Sequence, residues 1–140
     1  MKKVSIMLIV FLTGCLKVNS YIKPDVDFSK IKKIAVVKLN SQIATDLTKL
    51  ALIKRGFDVI EKEKLSESEK QTLHNEGIDA ILYVSAEESR EVFIRDAVEI
   101  ALSLSMFDSR SGKLLWNGNI IGLDLDELNE AIRKMVDTIP

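Results

Sequence analysis

The sequence predicts an α+β domain, an α/β sandwich in which a mixed sheet of about four or five strands has helices packed against it. Three stretches carry that expectation. IKKIAVVKL at 31–39 is a dense Val/Ile run of the kind found in an inner strand covered on both faces, and helix and strand signals follow it. VEIALSLSMFD at 98–108 alternates with period two: Val98, Ile100, Leu102, Leu104 and Met106 fall on one face, and Glu99, Ala101, Ser103, Ser105 and Phe107 on a lighter, more polar one. The turn SRSG at 109–112 and the returning KLLWNGNIIG at 113–122 complete an antiparallel hairpin.

The elements follow in order. Lys2 and Lys3 precede an apolar run, VSIMLIVFL at 4–12, which is too short to span a bilayer and has the make-up of a signal-peptide core. Residues 1–14 are therefore expected to be a signal peptide. Residues 15–29 are expected to be an attachment segment and tether, because they carry Pro24 and polar residues without either periodicity. A single domain fills 30–140, about the length that builds one core.

After the first strand, Ser41 can cap a helix over 41–55, with Ile43, Leu47, Leu50, Ala51 and Lys54 on its buried face and Gly56 as its stop. Leu52 and Ile53 lie beside that face; they either widen it or leave apolar surface for a partner. FDVIE at 57–61 is the second strand, and strand–helix–strand in this order suggests a parallel βαβ crossover. Ser66 and Glu69 have capping-box spacing, which predicts a short, mostly polar helix over 66–76 ending at Gly77. AILYVSA at 80–86 is the third strand, and 87–97 is an exposed strand extension or hairpin arm. Beyond the hairpin, Asp124 and Glu127 open a final helix with Leu125, Leu128, Ile132, Met135 and Ile139 near one face.

Composition excludes several function classes. Twenty basic residues against 21 acidic ones leave a net charge of -1 without a basic stripe, so nucleic acid is not an expected partner. One Cys and one His cannot build a structural zinc site or an internal disulfide, and no cofactor-binding glycine motif occurs. Glu87 and Glu88 are neighbours on a strand and point to opposite faces, which is wrong for a general acid and base sharing one substrate. His74 sits among polar residues with no nucleophile motif nearby. No catalytic residue, metal ligand or cofactor is expected, and the chain reads as a non-enzyme. Trp116, the single tryptophan, is by default a core residue, with a membrane-facing or subunit-facing anchor as the alternative.

The end of the apolar run is the most specific feature of the amino terminus. Leu12, Thr13, Gly14 and Cys15 resemble the bacterial lipobox at every position. That resemblance implies that a diacylglycerol is attached to the Cys15 sulfur, that the signal is cut before Cys15, and that the new amino terminus is acylated. The mature chain would then be held on a membrane without spanning it. Leu16, a non-acidic residue after the cysteine, resembles the pattern sent to the outer membrane.

Four later blocks, DFSKIKKIAVV, GFDVIEKEKL, GIDAILYVSA and FDSRSGKLLW, look in that order like the small envelope lipoproteins related to CsgG, a group that includes the amino-terminal domain of TolB and PelC. The group implies a periplasmic α/β domain, lipid-tethered to the outer membrane, that often assembles into rings serving export of protein or polysaccharide. The connections between Ser41 and Ala97 are too short for the membrane hairpins of the curli exporter, so a non-spanning accessory or scaffold is the expectation. Its partners would be the membrane through Cys15, further copies of itself, and an envelope protein. Trp116, Leu52 and Ile53 are the candidate contact residues. The alternative is a monomeric periplasmic binding module for a small ligand, glycan or lipid.

Overall fold

The computed structural model describes residues 18–91 and 97–140; the expected signal peptide at 1–14, Cys15 with the two residues after it, and the 92–96 part of the hairpin arm lie outside them. The chain forms one six-stranded mixed sheet in the order β1-β6-β5-β4-β2-β3. The strands are β1 (Asn19–Ile22), β2 (Lys33–Lys38), β3 (Asp58–Lys62), β4 (Ala80–Glu91), β5 (Ala97–Asp108) and β6 (Leu114–Leu123). The helices are α1 (Gln42–Lys54), α2 (Glu67–Asn75) and α3 (Leu128–Asp137). The expected α+β class is the observed one, with more strands than the four or five predicted.

The extra strand is β1. It arises from the stretch expected to be a plain tether, and it pairs antiparallel with β6 from Asn19↔Asn119 to Ile22↔Trp116. All four of its residues are exposed, so no hydrophobic period marks it in the sequence. Strand β2 is parallel to both β3 and β4, and the remaining pairs are antiparallel.

Alternation along the strands sorts the core into two layers. Ile34 and Val36 join Leu82, Leu104, Met106 and Trp116 under α1 and α3. Ala35 and Val37 face the other way with Ile81, Leu73 and Ile78, beneath α2. The period-two stretch of β5 behaves as expected, with Ile100, Leu102, Leu104 and Met106 all buried.

Local chemistry sets the element ends. Ser41 Oγ accepts from Ala44 N at 3.2 Å, and Ser66 Oγ accepts from Glu69 N at 3.3 Å, each satisfying an otherwise free amide at a helix start. Helices α1 and α2 both stop at a glycine with positive φ, Gly56 at +93° and Gly77 at +83°. At each stop the residue after the glycine donates back into the helix, Phe57 N to Leu52 O and Ile78 N to Leu73 O, both at 3.1 Å. In the β5–β6 turn, Asp108 Oδ2 accepts from Ser111 N at 2.8 Å and Gly112 takes φ +71°.

One expected helix face is corrected, and a second loses a single residue. Helix α1 buries Ala44, Thr45, Thr48 and Leu52 instead of the Ile43/Leu50 side. Its threonine hydroxyls can be buried because each donates to a carbonyl one turn back, Thr45 to Ser41 O at 2.6 Å and Thr48 to Ala44 O at 2.7 Å. The small residues let α1 lie close against the sheet and α3. On α3, Leu128, Ala131, Ile132, Met135 and Val136 are buried, while Leu125, in the 3-10 turn before it, is exposed.

Arg55 joins the two helices of this layer. Its guanidinium donates to Val136 O at 2.6 Å and to Ile139 O at 2.9 Å, one carbonyl in the last turn of α3 and one just beyond it. Arg55→Met is expected to lower stability by about 1–2 kcal/mol in a chemical-denaturation curve, discounted because the residue is exposed. Arg55→Lys should recover less than half of that loss, since an ammonium cannot fork between two carbonyls. Equal stability of all three chains would show that the pair of bonds is dispensable.

Candidate functional site

Helix α2 covers only part of its face of the sheet. Beyond it, the β4–β5–β6–β1 half carries no helix among the described residues. Register puts Tyr83, Ser105, Asn117 and Tyr21 in one cross-strand row, and Ser85, Ser103, Asn119 and Asn19 in the next. The polar groups tie to one another: Asn117 Nδ2 donates to Ser105 Oγ at 2.7 Å, and Asn119 Nδ2 donates to Asn117 Oδ1 at 3.0 Å. This is the lighter face of β5, left open to solvent.

Where α2 meets the open half, a groove of about 510 Å³ forms. Its floor includes Ile81, Tyr83 and Phe107, and the two aromatic rings pack edge to face, 5.6 Å apart at 80°. Lys70 and Asp108 lie on its walls, and Leu39 stands exposed beside it. The Lys70 ammonium is held above the usual lysine pKa, chiefly by its hydrogen bond to Glu67 and then by Tyr83. The groove thus pairs an apolar floor with one cation and one carboxylate, a surface suited to an amphipathic ligand or partner.

No catalytic set converges there. Ser109 Oγ lies 3.4 Å from His74 Nδ1, but its proton goes to Ile78 O at 2.6 Å, an architectural bond that ties the turn to the start of β4. Glu87 pairs with Ala101 and Glu88 with Ile100, so the two carboxylates leave the strand on opposite sides. Among the described residues no cluster of three or more His, Cys, Asp or Glu has the arrangement of a metal site.

The candidate contact residues separate. Trp116 is fully buried beneath α3, with its indole Nε1 donating to Thr138 Oγ1 at 3.0 Å, which is the core placement and leaves no surface for a partner. Leu52 is also fully buried, so in this chain it belongs to the core and not to a docking surface. Ile53 is 54% exposed, and with Ile43 at 61% and Leu50 at 55% it forms an apolar stripe on the outer side of α1. These are the residues, Ile53 excepted, that the sequence pattern assigned to the core. Cys15 lies outside the described residues, three positions before Val18. Among the described residues no helix is long and apolar enough to cross a membrane.

The groove was not legible as such, because its residues come from distant parts of the chain and only the strand order assembles them. The one sequence signal was the Ser103/Ser105/Phe107 side of β5.

No protein-family model matches the chain, and no curated protein matches it by sequence. Solved structures do match. A variant of the PelC dodecamer from Paraburkholderia phytofirmans superposes with a TM-score of 0.58 at 14% identity, covering 89% of this chain and 95% of that one. A second PelC dodecamer structure from the same organism gives 0.57 at 14% identity, covering 89% and 94%. Lipoprotein GNA1162 from Neisseria meningitidis gives a TM-score of 0.43 at 20% identity, covering 77% of this chain and 97% of that one. The chain shares the PelC fold over nearly its whole described length.

Proposed function

We propose that this chain is a lipid-anchored envelope lipoprotein, attached through Cys15 to the periplasmic face of the outer membrane, and that it acts without catalysis as a homo-oligomeric accessory or scaffold in envelope assembly or in export of protein or polysaccharide. The observation that carries the reading is LTGC at 12–15, a lipobox-like end to an apolar run placed directly before the first strand. The PelC fold supports it, since the solved PelC structures are dodecamers. Two or three acyl chains, at about 0.8 kcal/mol per buried CH₂, suffice to hold a domain of this size on a bilayer.

The test is mass spectrometry of the mature amino terminus. The expected product begins at Cys15 and carries a diacylglyceryl thioether and an amide-linked acyl chain, and Cys15→Ser is expected to abolish acyl labelling and membrane fractionation. A chain that keeps residues 1–14 and a free Cys15 thiol would overturn the proposal.

The groove beside α2 favours a second reading, a monomeric periplasmic module that binds a small ligand, glycan or lipid. Protein extracted in native form as a monomer with a retained small molecule would favour this reading over the first.

A further inference from the structure

Helix α1 has two apolar sides, and the fold satisfies only one of them. Ile43, Leu50 and Ile53 stay in water, with Leu47 half-buried between them and the core. Single exposed apolar residues are ordinary; a stripe spanning ten helical positions, about 15 Å at 1.5 Å per residue, is not. A helix with apolar residues around most of its circumference is normally covered on both sides. On the other face of the same sheet lies the groove floored by Ile81, Tyr83 and Phe107. One surface is convex and apolar, the other concave and apolar. The sheet lies between them, so they cannot meet within one chain.

The geometry points to the α1 stripe of one copy seated in the groove of the next copy, a head-to-tail contact. It deepens the homo-oligomer reading above and depends on it. The charges at the two surfaces match in sign and spacing. Asp46 and Lys54 bracket Leu50 and Ile53 in the chain, eight positions apart, about 12 Å along the helix. In the groove, Asp108 sits opposite Ala80, and Lys70 lies against Tyr83 three residues further along β4, about 10 Å away. With Lys54 towards Asp108 and Asp46 towards Lys70, both ends pair; the reversed direction sets like charges together at both ends. The existing partners of Lys70 (Glu67 at 3.2 Å) and of Asp46 (Gln42 at 2.8 Å and Lys49 at 3.7 Å) are exposed and cost little to rearrange, and Asp108, which accepts from Ser111 N and Oγ through Oδ2, keeps its other oxygen for a cation.

A contact that joins two different patches repeats from copy to copy and closes into a ring when the rotation allows. Leu50 and Ile53 against the Tyr83/Phe107 pair would be its anchoring centre, inside a wider polar rim, because three side chains alone fall short of the roughly 800 Å² per partner of a standard interface.

The test is disulfide trapping in membranes that carry the full chain. Differently tagged copies, one with Leu50→Cys and the other with Ser105→Cys, are co-expressed and oxidised with copper-phenanthroline; the parent chain, whose one cysteine is Cys15, is the control. The expected result is a mixed-tag dimer, no dimer from Leu50→Cys alone, and a ladder of multimers when both changes are in one chain. In parallel, Leu50→Glu with Ile53→Glu should reduce the assembled fraction at least tenfold by native mass spectrometry while leaving the far-ultraviolet circular dichroism spectrum of the folded chain unchanged. A disulfide between two Leu50→Cys copies would overturn the proposal in favour of two-fold pairing of α1. An intact oligomer with no 50–105 cross-link would overturn this interface and leave the homo-oligomer reading standing; a monomeric parent chain in its membrane would overturn both.

Discussion

Replacing Trp116 with alanine is expected to destabilise the domain by about 3–5 kcal/mol, the range for removing a large aromatic side chain from a close-packed interior. Trp116 pairs across the sheet with Met106, and its side chain is wholly out of water. The packing around it leaves no slack: a methyl group built on Gly118 would come within 3.0 Å of both the indole ring and Met135. The indole also fixes the end of α3, because it donates to Thr138 Oγ1, and that hydroxyl donates in turn to Met135 O at 2.7 Å. Trp116→Phe should keep most of the buried area and lose the bond, for about 1–2 kcal/mol. Urea denaturation followed by far-ultraviolet circular dichroism reads both; a loss under about 1 kcal/mol for the alanine variant would mean that the indole is not a keystone of this layer.

Adjacent positions on α1 should behave in opposite ways. Leu52→Ala removes a fully buried side chain that packs in the α1/α3 layer and is expected to cost about 2–5 kcal/mol. Ile53→Ala removes a half-exposed one and should change monomer stability by no more than about 0.5 kcal/mol. Equilibrium unfolding of the two variants side by side checks the assignment. Similar losses at both positions would mean that α1 is rotated about its axis from the orientation described.

That pair of positions also marks where sequence reasoning stopped. The strand of 33–38, the β5–β6 hairpin and the helix caps at Ser41 and Ser66 could be read directly, since each depends on local period or on a side chain reaching an amide a few residues away. The buried side of α1 could not. Most of its bulky residues line one side, whereas its small ones share the other with Leu52 alone, and hydrophobic periodicity follows bulk. What decides the matter is the close approach of α3, which admits Ala44, Thr45 and Thr48 and excludes Ile43 and Leu50. Strand β1 was missed for a related reason: at a sheet edge with every side chain exposed, NSYI owes its conformation to the hydrogen bonds of β6 and not to its own pattern. The groove lies further still from local signals, because Lys70, Tyr83, Ser105 and Asp108 become neighbours only through strand order.

The pairing of β1 with β6 also has a temporal side. Asn19 and Asn119 are partners although they are a hundred positions apart in the chain, so this ladder closes one of the longest loops in the fold. Strands β2 to β4 can associate as soon as the first two-thirds of the chain exists, whereas β1 has nothing to pair with until β6 has been made. Until then Asn19–Ile22 has no strand to hold it in the sheet. An enzyme acting at Cys15, as proposed above, would thus meet a chain whose first strand is still unpaired, and the pairing with β6 would come last.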